Sequence, residues 1–366
     1  MKKIWMTLAA GSTLVASSAM SQEWYETMKV KGDVRYRYEN IDDETKEDER
    51  QRDRIRVRLG VFAKGGSDLD MGAQLTTSEK NDRVSGNSSL TGGGSKKDVY
   101  LDLGYLDYHP EALKGLNLIG GKMNNPYIAV ADNVWDGDYN PEGLAAKYKA
   151  GDEVELLLNA GYHWLTERET DEDDAKQLGA QAAIRFNGED DFYTLAGVSY
   201  FGTENLEGYS LFDDKNYGNT TVKEVDSDGK TNSLFATEYG VLEGFAEIGA
   251  NVGLPLRGYG SYTVNQDADD EDTGYLVGVS LGKAKDPSSF EVGYNFRSLE
   301  KDTVLGALTD SDSGGGGTNH EGHKLFLKYQ ITKALQAGVT YFMDAKDPDG
   351  KDTDYDRLQV DLVGKF

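Results

Sequence analysis

The chain has 366 residues, with 39 basic and 64 acidic side chains, a formal net charge of −25, no cysteine, 44 glycines and 22 tyrosines. The acidic balance excludes nucleic acid as a partner, because its phosphates would be repelled, and the lack of cysteine excludes disulfide and thiolate chemistry. A mean hydropathy of −0.61 speaks against helical membrane spans in the mature chain, but not against membrane strands, whose lipid-facing and water-facing positions alternate.

Lys2 and Lys3 precede an apolar stretch at 4–16, and small residues follow. Ala19-Met20-Ser21 suits a cleavage site before Gln22, with Ala19 as an alternative last residue. Residues 1–21 are therefore expected to be a secretory signal peptide, and 22–366 a single mature domain. The stretch falls short of the roughly 20 apolar residues of a membrane anchor.

From Met28 the sequence alternates with period two, which means an extended strand with one apolar and one charged face. Met28, Val30, Val34, Tyr36 and Tyr38 are predicted to face lipid, with Lys29, Lys31, Asp33, Arg35 and Arg37 facing a lumen. A slip of one residue would turn those charges towards lipid, at a cost on the order of 10 kcal/mol. The second strand repeats the pattern, with Ile55, Val57, Leu59 and Val61 outward and Arg54, Arg56 and Arg58 inward.

The rhythm then predicts strands near 28–38, 53–63, 69–77, 98–108, 116–123, 143–149, 154–164, 177–186, 192–201, 238–252, 255–264, 274–283, 289–299, 322–330, 335–343 and 356–366. The stretch 234–244 leaves room for a further hairpin, and Lys122 falls on the apolar parity of its strand. Connections alternate in length: short at 64–68, 109–115, 150–153, 187–191, 253–254, 284–288 and 331–334, long at 39–52, 78–97, 124–142, 165–176, 202–237, 265–273, 300–321 and 344–355. Aromatic residues such as Tyr36, Trp164, Tyr294 and Tyr341 collect near strand ends, as in interfacial girdles. The predicted fold is all-β, a transmembrane antiparallel up-and-down barrel of about sixteen strands, with short periplasmic turns and long outer loops. A soluble sandwich would instead bury those aromatics in a core.

The chain ends on Leu358, Val360, Leu362, Gly364 and Phe366 at alternate positions. This resembles the closing strand of outer-membrane proteins, which implies that the barrel-assembly machinery reads Phe366. The stretches Gly121-Lys122-Met123-Asn124-Asn125-Pro126-Tyr127, Trp135-Asp136-Gly137-Asp138-Tyr139-Asn140-Pro141 and Thr318-Asn319-His320-Glu321-Gly322-His323 resemble the bacterial putative porin family, akin to the general porins of the Gram-negative outer membrane. That resemblance implies an outer-membrane porin, a water-filled channel for ions and small hydrophilic solutes. It also implies contact with outer-membrane lipid and lipopolysaccharide, and a homotrimer. A barrel of this size leaves an aqueous lumen, whereas eight strands would fill with side chains.

The basic residues form a ladder, with Arg35 and Arg37 beside Arg54, Arg56 and Arg58. Like charges on adjacent strands repel unless opposed. One expected partner is the third long loop, whose Asp132, Asp136, Asp138 and Glu142 are mixed with Tyr127, Val130, Val134, Trp135 and Tyr139. Resemblance to general porins implies that this loop folds inward and narrows the lumen. The alternative is that the arginines pair with wall acids such as Asp33, Asp70 and Asp102. Acidic loops at the mouth predict weak cation preference.

Other signals are weaker. Asp226-Ser227-Asp228-Gly229 and Asp347-Pro348-Asp349-Gly350 lack a full calcium-loop pattern, and turn chemistry accounts for them. His320 and His323 lack a third placed zinc ligand, and Gly314 to Gly317 follows no strand-to-helix pattern. No cofactor is expected. Competing functions are an adhesive or structural surface barrel and an outer-membrane hydrolase; for the latter, with only four histidines, no nucleophile, base and orienter stand out as placed together.

Overall fold

The computed structural model describes residues 24–169, 173–225, 228–347 and 350–366. The expected signal segment and parts of the runs at 171–174, 226–229 and 347–350 lie outside the described residues. Sixteen long strands form the wall: β1 (Lys29–Asp43), β2 (Arg50–Lys64), β3 (Leu69–Thr77), β4 (Val99–Tyr108), β5 (Leu116–Lys122), β6 (Glu142–Ala150), β7 (Val154–Thr166), β8 (Ala175–Asn187), β9 (Tyr193–Glu204), β10 (Gly240–Asn251), β11 (Pro255–Asn265), β12 (Thr273–Gly282), β13 (Phe290–Leu299), β14 (His320–Gln330), β15 (Leu335–Lys346) and β16 (Thr353–Lys365). Each pairs antiparallel with the next, and β16 returns to β1 with Tyr36 opposite Leu362 and Tyr38 opposite Val360. The ring is closed, so no long edge is left to recruit another chain.

The alternation works as the side chains require. Val34, Tyr36, Leu59, Val61 and Leu144 stand exposed on the outside, while Asp33, Arg37, Glu39, Arg54 and Arg56 are buried within. The first two strands run further than their apolar positions suggest. Glu39, Ile41 and Asp43 continue the inward parity of β1, which shrinks the expected loop at 39–52 to residues 44–49. Among the described residues one extra hairpin is present, overlapping 234–244 only at its end: Thr221–Val225 pairs with Thr231–Phe235, apart from the wall.

At the seam β1 and the end of β16 lock together. Gly32 and Phe366 exchange two backbone hydrogen bonds of 3.1 Å. A Cβ on Gly32 would lie 2.2 Å from the Arg58 carbonyl oxygen and 2.6 Å from the Phe366 ring, so only glycine admits this approach.

The wall is low beside β5, whose pairing with β4 extends no higher than Lys122 opposite Gly104. Gly121 has φ of 121° and sits opposite Gly143, which has φ of 150°. This left-handed break interrupts the alternation and accounts for Lys122, whose amine reaches Asn140 O at 3.1 Å and Glu142 Oε1 at 2.9 Å. The third loop, residues 123–141, departs from this low point into the barrel. There Trp135 and Tyr139 pack with Val84 of the second loop, Phe212 and Tyr239 of the fifth, and Leu305 and Leu308 of the seventh. The main apolar core is therefore made by loops inside the outer half of the barrel.

Candidate functional site: the narrowed lumen

β1 and β2 run antiparallel with Asp33 opposite Arg58, Arg35 opposite Arg56 and Arg37 opposite Arg54. Even and odd parity thus place all five ladder arginines on the inner wall. Most are matched at contact distance. Arg56 and Arg58 share Asp33, at 3.0 and 2.6 Å, and both reach Asp138 of the third loop, at 3.0 and 3.2 Å. Arg37 meets Asp361 at 2.7 Å and Asp312 at 3.3 Å. Arg54 lies 3.6 Å from Glu39 and 3.7 Å from Glu79.

Wall acids and loop acids therefore both oppose the ladder. Of the wall acids named from sequence, Asp33 is in contact, while Asp102 accepts from Gln74 and Asn140 and Asp70 lies near His109. Of the four loop acids, Asp138 alone touches the ladder. Asp132 goes to the opposite wall, 2.6 Å from Arg297 and 2.8 Å from Lys324. Asp136 accepts from the backbone N–H of Ser311 at 3.0 Å. Glu142 opens β6 and pairs with Lys122 on the low wall, because the chain has by then left the lumen.

The third loop is fastened along the inner face of β7 to β11. Tyr127 Oη and His163 Nε2 lie 3.2 Å apart, Ile128 exchanges two hydrogen bonds with Gln181, and Arg257 donates to the Val130 carbonyl at 2.7 Å. Trp135 stands edge-on to Phe201, centroids 4.9 Å apart, and stacks on Tyr139 at 5.4 Å.

Sequence reasoning missed a second inward loop, residues 300–319. Asp136 N–H donates to Leu308 O at 2.9 Å, and Thr309 Oγ1 donates to Asn133 O at 2.8 Å, so the third and seventh loops form one body. Asp310 lies 2.8 Å from Arg297, and Asp312 lies 2.8 Å from Arg357. Burial, and then Asp310 and Asp138 nearby, push the Asp136 carboxyl well above its usual range. Burial alone would raise Asp312 too, but Arg357 and Arg37 hold it below the usual carboxylate range. Glu39 was also missed. Fully buried, it lies 2.5 Å from Arg52 and 2.8 Å from Arg357. Its signal was parity, since it continues the face that carries Arg35 and Arg37.

Two cavities meet this cluster. One, of about 780 Å³, is lined by Arg35, Arg37, Arg56, Arg58, Asp132, Asp312 and Lys328. The other, of about 410 Å³, is lined by Arg50, Arg52, Arg54, Glu79, Lys346 and Arg357. The two candidate zinc histidines do not converge. His320 is buried inside, whereas His323 is on the outer face with Tyr294, since residues three apart on a strand point oppositely.

A closed sixteen-stranded antiparallel barrel, apolar outside and charged within, defines a channel of the outer-membrane porin class. The chain belongs to the family described as Putative porin, whose model matches residues 42–239 and 245–366. No curated protein sequence matches it significantly. Solved structures share the fold at low identity. OprB of Pseudomonas putida superposes with a TM-score of 0.60 at 12% identity, covering 93% of this chain and 95% of its own. OmpF of Salmonella typhi gives 0.53 at 12% over 93% and 97%, and OmpT of Vibrio cholerae 0.50 at 14% over 93% and 99%. The chain is thus a barrel of the bacterial outer membrane.

Proposed function

We propose that the mature chain, 22–366 after removal of 1–21, is a porin for passive diffusion of ions and small hydrophilic solutes, with no catalytic role. The charged, water-accessible cavities on the two flanks of the arginine cluster carry this reading. The third and seventh loops narrow the lumen against the ladder. Opposed charges in a confined, partly dry space interact more strongly than in bulk water.

Because most ladder arginines are matched by carboxylates, the acid-rich loops set the sign of bulk selectivity, and weak cation preference is expected. Screening within about 8 Å at 0.15 M salt keeps that preference small. Trimer formation is proposed by analogy with OmpT, which is described in a trimer form. Contact with lipopolysaccharide at the outer rim, and recognition of Phe366 by the assembly machinery, complete the reading. Planar-bilayer recording of the purified chain tests it: stepwise conductance that scales with salt supports diffusion, and a folded but silent barrel would favour an adhesive or structural role.

A further inference from the structure

Arg35 differs from the other four ladder arginines. Its Nη2 donates to Asn87 Oδ1 at 2.7 Å, its Nε is buried without a partner as that of Arg54 is, and, unlike the other four, it has no ion pair with a carboxylate among the described residues. The register explains why. Arg37 sits opposite Asp361 across the seam, and Arg58 sits opposite Asp33, whereas Arg35 sits between Val363 on β16 and Arg56 on β2. Directly opposed side chains on one face stand about 4.5–5.5 Å apart at Cβ. Val363 therefore occupies the place from which a carboxylate would answer Arg35. The acids whose charges act on Arg35 are already engaged, Asp361 by Arg37 and Asp138 by Arg56 and Arg58, which also hold Asp33. One guanidinium is left over, and both it and Val363 line the 780 Å³ cavity.

We propose that Arg35 and Val363 form a binding site for a short-chain monocarboxylate in transit, with its carboxylate on the guanidinium and its alkyl chain against the valine. The planar fork of arginine matches a carboxylate. A single uncompensated charge balances a monoanion. A dianion such as phosphate would keep a surplus charge facing Asp138, Asp312 and Asp361. This site rests on the channel reading above, since the ligand reaches it through the lumen.

The test is single-channel recording of the full mature chain in about 0.1 M KCl, where screening leaves a local charge effective. Propionate is added at increasing concentration at about pH 8, where inorganic phosphate is mostly the dianion, with formate and inorganic phosphate as comparisons. Wild type is expected to lose current in a saturable manner with propionate, less readily with formate and least with phosphate. Arg35→Gln and Val363→Asp are each expected to weaken the apparent propionate affinity at least about tenfold, a difference of about 1.4 kcal/mol. Val363→Asp does so with Arg35 intact, by supplying an internal carboxylate, so it carries the test if Arg35→Gln does not fold. Equal propionate response in wild type and Val363→Asp would overturn the site, as would phosphate acting as strongly as propionate. A wild-type barrel without conductance would overturn the channel reading instead.

Discussion

Arg56 is held by two carboxylates of different origin, Asp33 from the wall and Asp138 from a loop. Replacing it with serine leaves both acids to Arg58 alone and makes the narrow region more negative. The reversal potential of Arg56→Ser in a KCl gradient should therefore move further towards cations, and Asp138→Asn should move it the opposite way. Glu39 poses a stability question instead. It answers Arg52 and Arg357 at once, with Arg37 and Arg54 each 3.6 Å away. In Glu39→Gln those cations face one another with the anion gone, and breaking such a buried network costs about 3–5 kcal/mol. A lower temperature for loss of the folded, fast-migrating form on gels would register that cost.

Among the elements, the third and seventh loops behave as one insert. Trp135 bridges Phe201 of the wall and Tyr139 of its own loop, and truncating a buried tryptophan costs about 3–5 kcal/mol. That loss falls on the insert, because the wall is held by its own backbone ladder. Trp135→Ala should keep the folded gel mobility while raising conductance and open-channel noise; unchanged conductance would mean the loops do not set the narrow point. The strands and the third loop were readable because each carries a pattern physics enforces: alternation for a two-faced strand, and apolar residues out of place in an exposed loop. The seventh loop escaped notice since Asp310-Ser311-Asp312-Ser313 and four glycines carry no periodicity and follow no strand-to-helix pattern. Val304, Leu305, Ala307 and Leu308, now buried, were the hint within it. The specific pairings of Asp132 with Arg297 and of Asp312 with Arg357 could not be read from one strand at a time. They depend on which walls face each other across the closed ring.

For the whole molecule, closure joins these levels. The seam brings Asp361 to Arg37 and Phe366 to Gly32, so the last strand completes the charge pairing as well as the sheet. Gly32→Val would force a side chain against the Arg58 carbonyl and should reduce the yield of folded barrel in detergent, with the soluble unfolded chain accumulating. A two-faced ribbon enclosing water narrowed by two loops is expected to conduct. The most direct test is the current carried by the refolded mature protein in a planar bilayer. Discrete steps whose size rises with KCl concentration are expected. A barrel that is folded by gel mobility and inserted in lipid, yet passes no current at any salt concentration, would contradict it.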